Sequence, residues 1–239
     1  MPTGSISRRR RWMVRPTSVV LLVPLVAMSA TAPSSTARPS PAVSESRHGF
    51  QRVVVSTSQG RFDEGIDNQG WWSKTAFNTD RNVNYLVGEF ASDRYRNFFT
   101  FRLPSLQRDV VGARLVLRRF KSEGGVTETL EFHKVRTAAR RLNDNEGVDA
   151  EIYRDLGTGT QYGRYRVATE RDPESSVGMW LNDKAIADIN ASRGRYFSIG
   201  GTLSSILGFP PDRHNESLFV SSGKRGVQEL RLFVKEPPS

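Results

Sequence analysis

Across residues 96–118, apolar and polar positions alternate with a period of two. Phe99, Phe101 and Leu103 interleave with Thr100 and Arg102; after a Pro/Ser break, Ala113, Leu115 and Leu117 interleave with Arg114, Val116 and Arg118. A helix would repeat its apolar residues at spacings of three and four, so the pattern predicts two β-strands, each with one buried face, at the centre of a sheet. Shorter β-prone runs cover 50–55, 85–90, 129–135, 162–167, 177–181, 196–199, 218–221 and 230–234. Gly124-Gly125 reads as a turn, and Gly157-Thr158-Gly159 ends a segment. Residues 56–84 read as one long polar loop, 137–142 as one or two helical turns, and 149–156 as another short segment. A full helix is predicted only after Asn182, a suitable N-cap, with Asp183 in the first turn, Ile186 and Ile189 on one face, and Gly194 past the end. Roughly eight to ten short strands and one short helix predict an all-β fold, an antiparallel two-sheet sandwich of jelly-roll type.

The N-terminus breaks this pattern. An arginine cluster (Arg8, Arg9, Arg10, Arg11, Arg15), an apolar run over 18–28 and Ala30-Thr31-Ala32 have the layout of a secretion signal. The expected organisation is a signal peptide at 1–37, a flexible Pro/Ser-rich spacer at 38–49, a β-sandwich domain at 50–235 and a tail at 236–239. The expected location is outside the cell or on its surface, with membrane contact only through an uncleaved leader. Those five arginines, with no acid among residues 1–37, leave +5 of the formal net charge of +10 to the rest of the chain. A mildly basic body suits an anionic wall polymer or acidic polysaccharide. No recognition helix or basic-aromatic signature points to nucleic acid. Cysteine is absent, which excludes disulfides, thiolate metal sites and thiol nucleophiles.

The chain also carries Gly70-Trp71, Asn84-Tyr85-Leu86-Val87-Gly88, Arg96-Asn97-Phe98-Phe99-Thr100-Phe101, Val110-Val111-Gly112-Ala113-Arg114-Leu115, Asp155-Leu156-Gly157-Thr158-Gly159 and Phe197-Ser198-Ile199-Gly200-Gly201. Together these resemble an exported bacterial β-sandwich family often found in PEP-CTERM-type proteins and similar in build to carbohydrate-binding modules. The likeness runs over nearly all of 50–234. It implies a sandwich fold and no catalytic residue. Two departures stand out: Arg102 occupies a position where the family usually has Asp, and no sorting tail of that type is visible.

Three function classes follow. In the first, the domain binds a polysaccharide through Trp71 and Trp72 in the long loop and Tyr95 in another, since aromatic faces at a sandwich edge suit sugar rings; the alternative is that the tryptophans plug the core. Asp63, Glu64, Asp67 and Asn68 supply oxygen ligands of the type Ca²⁺ takes, although their spacing is not that of an EF-hand. The second class is a structural or adhesive wall or matrix protein, which needs no aromatic platform and is favoured if Trp71 and Trp72 are buried. The third is a glycoside hydrolase using a carboxylate pair drawn from Asp63, Glu64, Asp93 or Asp155. It has the least support, because His48, His133 and His214 are scattered and no nucleophile motif is present.

Overall fold

The computed structural model describes residues 50–79, 84–118, 122–123, 127–168, 175–206, 217–218 and 228–236. The expected leader, the spacer, the Gly124-Gly125 turn and residues 219–221 of one expected strand lie outside the described residues. Twelve strands are seen among them: β1 (Phe50–Ser56), β2 (Gln69–Ser73), β3 (Val87–Phe90), β4 (Asp93–Arg102), β5 (Val110–Arg118), β6 (Ser122–Glu123), β7 (Thr127–Lys134), β8 (Gln161–Ala168), β9 (Ser176–Trp180), β10 (Tyr196–Leu203), β11 (Ser217–Leu218) and β12 (Glu229–Lys235). The helices are α1 (Ala139–Asn143), α2 (Ala150–Asp155) and α3 (Asp183–Ala191). α3 is the full helix expected; α1 falls on the residues read as helical turns and α2 on the short segment at 149–156.

The strands form two antiparallel sheets. One has the order β1-β12-β5-β9; the other runs β6-β11-β3-β4-β10-β7-β8, with β2 added against β4. Setting aside β2, β3, β6 and β11 and taking β1, β4, β5, β7, β8, β9, β10 and β12 as first to eighth, the sheets read 1-8-3-6 and 2-7-4-5. This is a long hairpin wrapped into a barrel-like sandwich, the jelly roll. The neighbouring strands β4 and β5 lie in opposite sheets because the connection between them crosses the sandwich, whereas β7 and β8 pair within one sheet.

Alternation survives where a strand has one covered face. In β5, Ala113, Leu115 and Leu117 are fully buried, and they meet Leu230, Leu232 and Val234 of β12, Phe99 and Phe101 of β4 with Leu103 just past its end, and Leu130 and Phe132 of β7 in one core. β4 is different: Tyr95 to Phe101 are buried on both faces. Its outer face is roofed by α1 and α2, which bring Leu142, Ile152, Tyr153 and Leu156 onto Trp72 and Phe98. Such short helices would not form alone. Asp149 caps α2, its Oδ1 accepting from Glu151 N at 2.9 Å and Ile152 N at 3.0 Å.

α3 begins at Asn182 as the sequence predicts, with Oδ1 accepting from Ala185 N at 3.2 Å, a cap worth about 1 kcal/mol. Asp188 on this helix accepts from Lys134 Nζ and from the Tyr162 hydroxyl, each at 2.7 Å, which ties α3 to β7 and β8. Burial pushes the Asp188 carboxyl up, but the two hydrogen bonds outweigh it and hold the group below the usual carboxylate range.

Candidate functional site

The aromatic residues singled out from the sequence lie inside the protein. Trp71, Trp72 and Tyr95 are 8%, 3% and 8% exposed. Trp71 and Trp72 belong to β2, in the middle of the expected loop, and Tyr95 belongs to β4, not to a second loop. Successive residues of a strand point to opposite faces, so the two tryptophans part company. Trp71 donates to Asn84 Oδ1 at 2.7 Å and meets Tyr95 edge-on, ring centroids 4.8 Å apart. Trp72 faces the other way and donates to Leu142 O at 3.1 Å beneath α1. The structure thus unites Trp71 with Tyr95 and separates Trp72 from both, and none of the three offers an open ring face.

The four candidate calcium ligands do not converge either. Asp67 Oδ1 is held by Arg61 through Nε at 3.0 Å and Nη2 at 2.7 Å. Asn68 accepts from Phe62 N and donates to Gln59 O and Gly60 O. Both side chains brace the loop that contains them, while Asp63 and Glu64 point into solvent. Among the described residues no three acidic or imidazole groups come together as a metal site. Asp155 is also occupied, since its Oδ2 accepts from Arg136 N, Thr137 N and the Thr137 hydroxyl at 2.7–2.8 Å. Asp93 accepts from the Thr75 hydroxyl.

Several residues behind the family resemblance prove to be packing devices. Gly157 lies against the Arg96 guanidinium, and Gly200 against the Leu156 main chain. Arg96 itself is buried, donates to Tyr153 O at 2.9 Å and Arg154 O at 3.1 Å, and lies 4.4 Å from the Tyr153 ring centroid. Arg102 donates to Gly194 O at 2.5 Å and stands 5.1 Å from the Tyr196 ring centroid.

A different surface has the features of a binding face: the outer side of the four-stranded sheet. Its registers set side chains in rows across the strands. Val54 pairs with Arg231, Arg231 with Arg114, and Arg114 with Trp180; alongside, Arg52 pairs with Phe233, and Phe233 with Gly112. Trp180 is 39% exposed, and its ring lies 5.0 Å from that of the half-buried Phe233. A Cβ on Gly112 would touch both rings at 3.6 Å, so the aromatic pair sits directly over that glycine.

Cations surround the rings. The Arg114 guanidinium is 5.9 Å from the Trp180 ring centroid and lies flat on Gly178, where any Cβ would collide with it. Arg114 Nε is buried and has no hydrogen-bond partner, and neither Arg114 nor Arg52 has a carboxylate partner among the described residues. Arg231 is paired with Glu229 at 2.8 Å. From the opposite sheet the Tyr165 hydroxyl donates to the Trp180 carbonyl, fixing the strand that carries the tryptophan; burial pushes this phenol up to about 12. Flat aromatic area beside guanidinium donors suits a ligand with apolar faces and acidic or hydroxyl edges.

Sequence reasoning passed over Trp180 and Phe233. The signal was present: Trp180 alternates with buried Met179, and Phe233 with buried Leu232 and Val234, so each aromatic falls on the solvent phase of its strand.

These features define the chain as a jelly-roll β-sandwich protein with an aromatic and arginine-lined outer sheet face. Set against known proteins, it matches no family model and no curated protein.

Proposed function

We propose that the protein is an exported, non-catalytic module that binds an acidic extracellular polysaccharide across the outer face of its four-stranded sheet. The observation that carries this reading is the exposed Trp180 with half-buried Phe233 beside Arg114, a cation without a carboxylate partner among the described residues. Aromatic rings take the apolar faces of sugar rings, and guanidinium groups take carboxylates or hydroxyls at their edges. The leader-like N-terminus and the resemblance to an exported β-sandwich family support the location. Two roles for the same surface are separated by ligand: a module that recognises sugar needs the aromatic pair, whereas a structural or adhesive wall protein does not. Burial of Trp71 and Trp72 favours the second role by removing the platform expected from the sequence. Trp180 and Phe233 supply another platform and restore the first.

Affinity electrophoresis in gels holding an acidic polysaccharide such as pectate, or a neutral glucan, tests this. The acidic gel is expected to retard the wild type more strongly. Trp180→Ala is expected to remove about 2 kcal/mol, or roughly 30-fold in affinity, as loss of a central aromatic anchor does. Retardation that survives intact in a folded Trp180→Ala, Phe233→Ala protein ends the platform reading. Absence of retardation by every polymer favours the structural or adhesive role.

A further inference from the structure

The geometry points to β1 as a self-pairing edge: two copies of the chain join antiparallel along Phe50–Ser56 about a two-fold axis at Val53, making one continuous eight-stranded sheet from two four-stranded ones. This inference stands apart from the polysaccharide reading and needs no ligand.

Among the described residues β1 is an outer strand of its sheet, bonded to β12 on one side only. The Thr57 N–H donates to Gln228 O at 3.0 Å, which continues the β1–β12 register. Antiparallel partners alternate along a strand, so Val55, Val53 and Gln51 direct their main-chain groups towards β12, and Ser56, Val54 and Arg52 direct theirs away. Ser56 confirms the phase, its N–H reaching Gln59 Oε1 at 3.4 Å and its carbonyl accepting from Gln59 N at 3.1 Å. Arg52 and Val54 have no such partner among the described residues, and neither has a further interaction there. The strand is also open in its side chains. Phe50 and Val54 are 48% and 42% exposed, and Val53, on the core side, is only half-buried. Beside it runs an open groove of about 420 Å³ lined by Val53, Val54, Val55, Leu103, Pro104 and Gly194. An exposed, unpaired strand of this kind, with no proline and no acid, is a template for another strand.

A second copy fits because the edge complements itself in a single register. Centring the axis on Val53 sets Arg52 against Val54 of the other copy, so the four free N–H and C=O groups on each side bond reciprocally. Centring on Arg52 would oppose two arginines, which is unfavourable. Centring on Val54 would leave two bonds in place of four, because Arg52 would face Ser56, whose groups Gln59 already occupies; about Val53 it is the end residue Phe50 that faces Ser56. In the chosen register the Ser56–Gln59 turn ends the ladder, and the second Val53 side chain is directed to the groove. Such an isologous contact closes at two copies.

The chain contains no cysteine, which allows a direct test on the purified protein. Val53 meets its own copy as a non-hydrogen-bonded pair, with Cα atoms about 4.5 Å apart, within disulfide reach. Gln51 is offset from its copy by four residues, roughly 13 Å. The expected results are a dimer in sedimentation velocity, a disulfide-linked dimer from Val53→Cys on air oxidation, and none from Gln51→Cys. Val54→Pro removes an N–H that faces away from β12, so it is expected to sediment as a monomer while melting near the wild-type temperature; Val54→Lys is expected to do the same if the proline disturbs folding. A wild type that is monomeric at every concentration, equal cross-linking of both cysteines, or dimers that persist in folded Val54→Pro and Val54→Lys would each overturn the proposal. So would edge amides of Arg52 and Val54 that gain exchange protection only when a different polypeptide is added.

Discussion

Replacing Gly200 by alanine probes how the helical roof sits on the larger sheet. A methyl carbon there would stand 2.5 Å from the Leu156 carbonyl oxygen and 2.7 Å from Leu156 Cα. Both atoms are main chain, so no rotamer change relieves the overlap, and the separation falls roughly 1 Å short of ordinary carbon contact. The end of α2 must therefore lift, drawing Ile152 and Leu156 away from Trp72 and Phe98. Over-packing of a closed site costs about 1–3 kcal/mol; main-chain atoms place this one at the upper end, about 3 kcal/mol. For a body of this size each kcal/mol lowers Tm by about 2–4 °C, so a fall of about 6–12 °C is expected. Calorimetry measures it, and tryptophan emission should shift to the red as Trp72 gains water. Gly112→Ala is the control, because its methyl group meets neighbours at an ordinary 3.6 Å and should move Tm by no more than about 2 °C. Gly200→Ala melting as the wild type does, with unchanged emission, would refute the close-roof argument.

Other outcomes follow from the same structure. Trp72→Ala should lower stability by about 3–5 kcal/mol, as loss of a buried aromatic does, whereas Trp180→Ala should leave urea unfolding almost unchanged and act on ligand retention alone. Asp188, held below its ordinary range by Lys134 and Tyr162, contributes stability that is present above the unfolded carboxylate value of about 3.9 and is lost as pH falls through the lower folded value. Asp188→Asn should flatten that acid limb in a pH series of melts; Lys134 is well exposed, so the cost at neutral pH should be under about 1 kcal/mol. Millimolar Ca²⁺ should leave Tm where it is, because Arg61 and the loop backbone already occupy Asp67 and Asn68; a rise with Ca²⁺ concentration would contradict this.

The strands that could be read from the sequence are those with one wet face. β5 and β12 alternate cleanly because solvent covers one side and the core the other. β2 shows no alternation: Gln69 to Ser73 are buried on both faces, so Gly70-Trp71-Trp72 looks like a decorated loop. Period two reveals which face a residue takes but not which strand lies beside it, and for that reason the placement of β4 and β5 in opposite sheets could not be read. The two small helices fall on 137–142 and 149–156, the stretches that read as helical turns and a short segment, but five or six residues that depend on the sheet beneath them carry no signal of where they dock. For the candidate face, counting aromatics drew attention to the adjacent tryptophans. Asking which aromatics fall on the phase that also carries Arg114 would have led to Trp180 and Phe233.

The pairing of Phe50 with Lys235 has a mechanical corollary. Both ends of the folded body leave from the same corner, on adjacent antiparallel strands. Tension applied through the two ends would peel β1 from β12 one residue pair at a time, as a zipper opens, instead of shearing all their hydrogen bonds at once. A body threaded in line between two anchors would give way at low force, while one tethered by a single end would keep its sheets intact under the same pull.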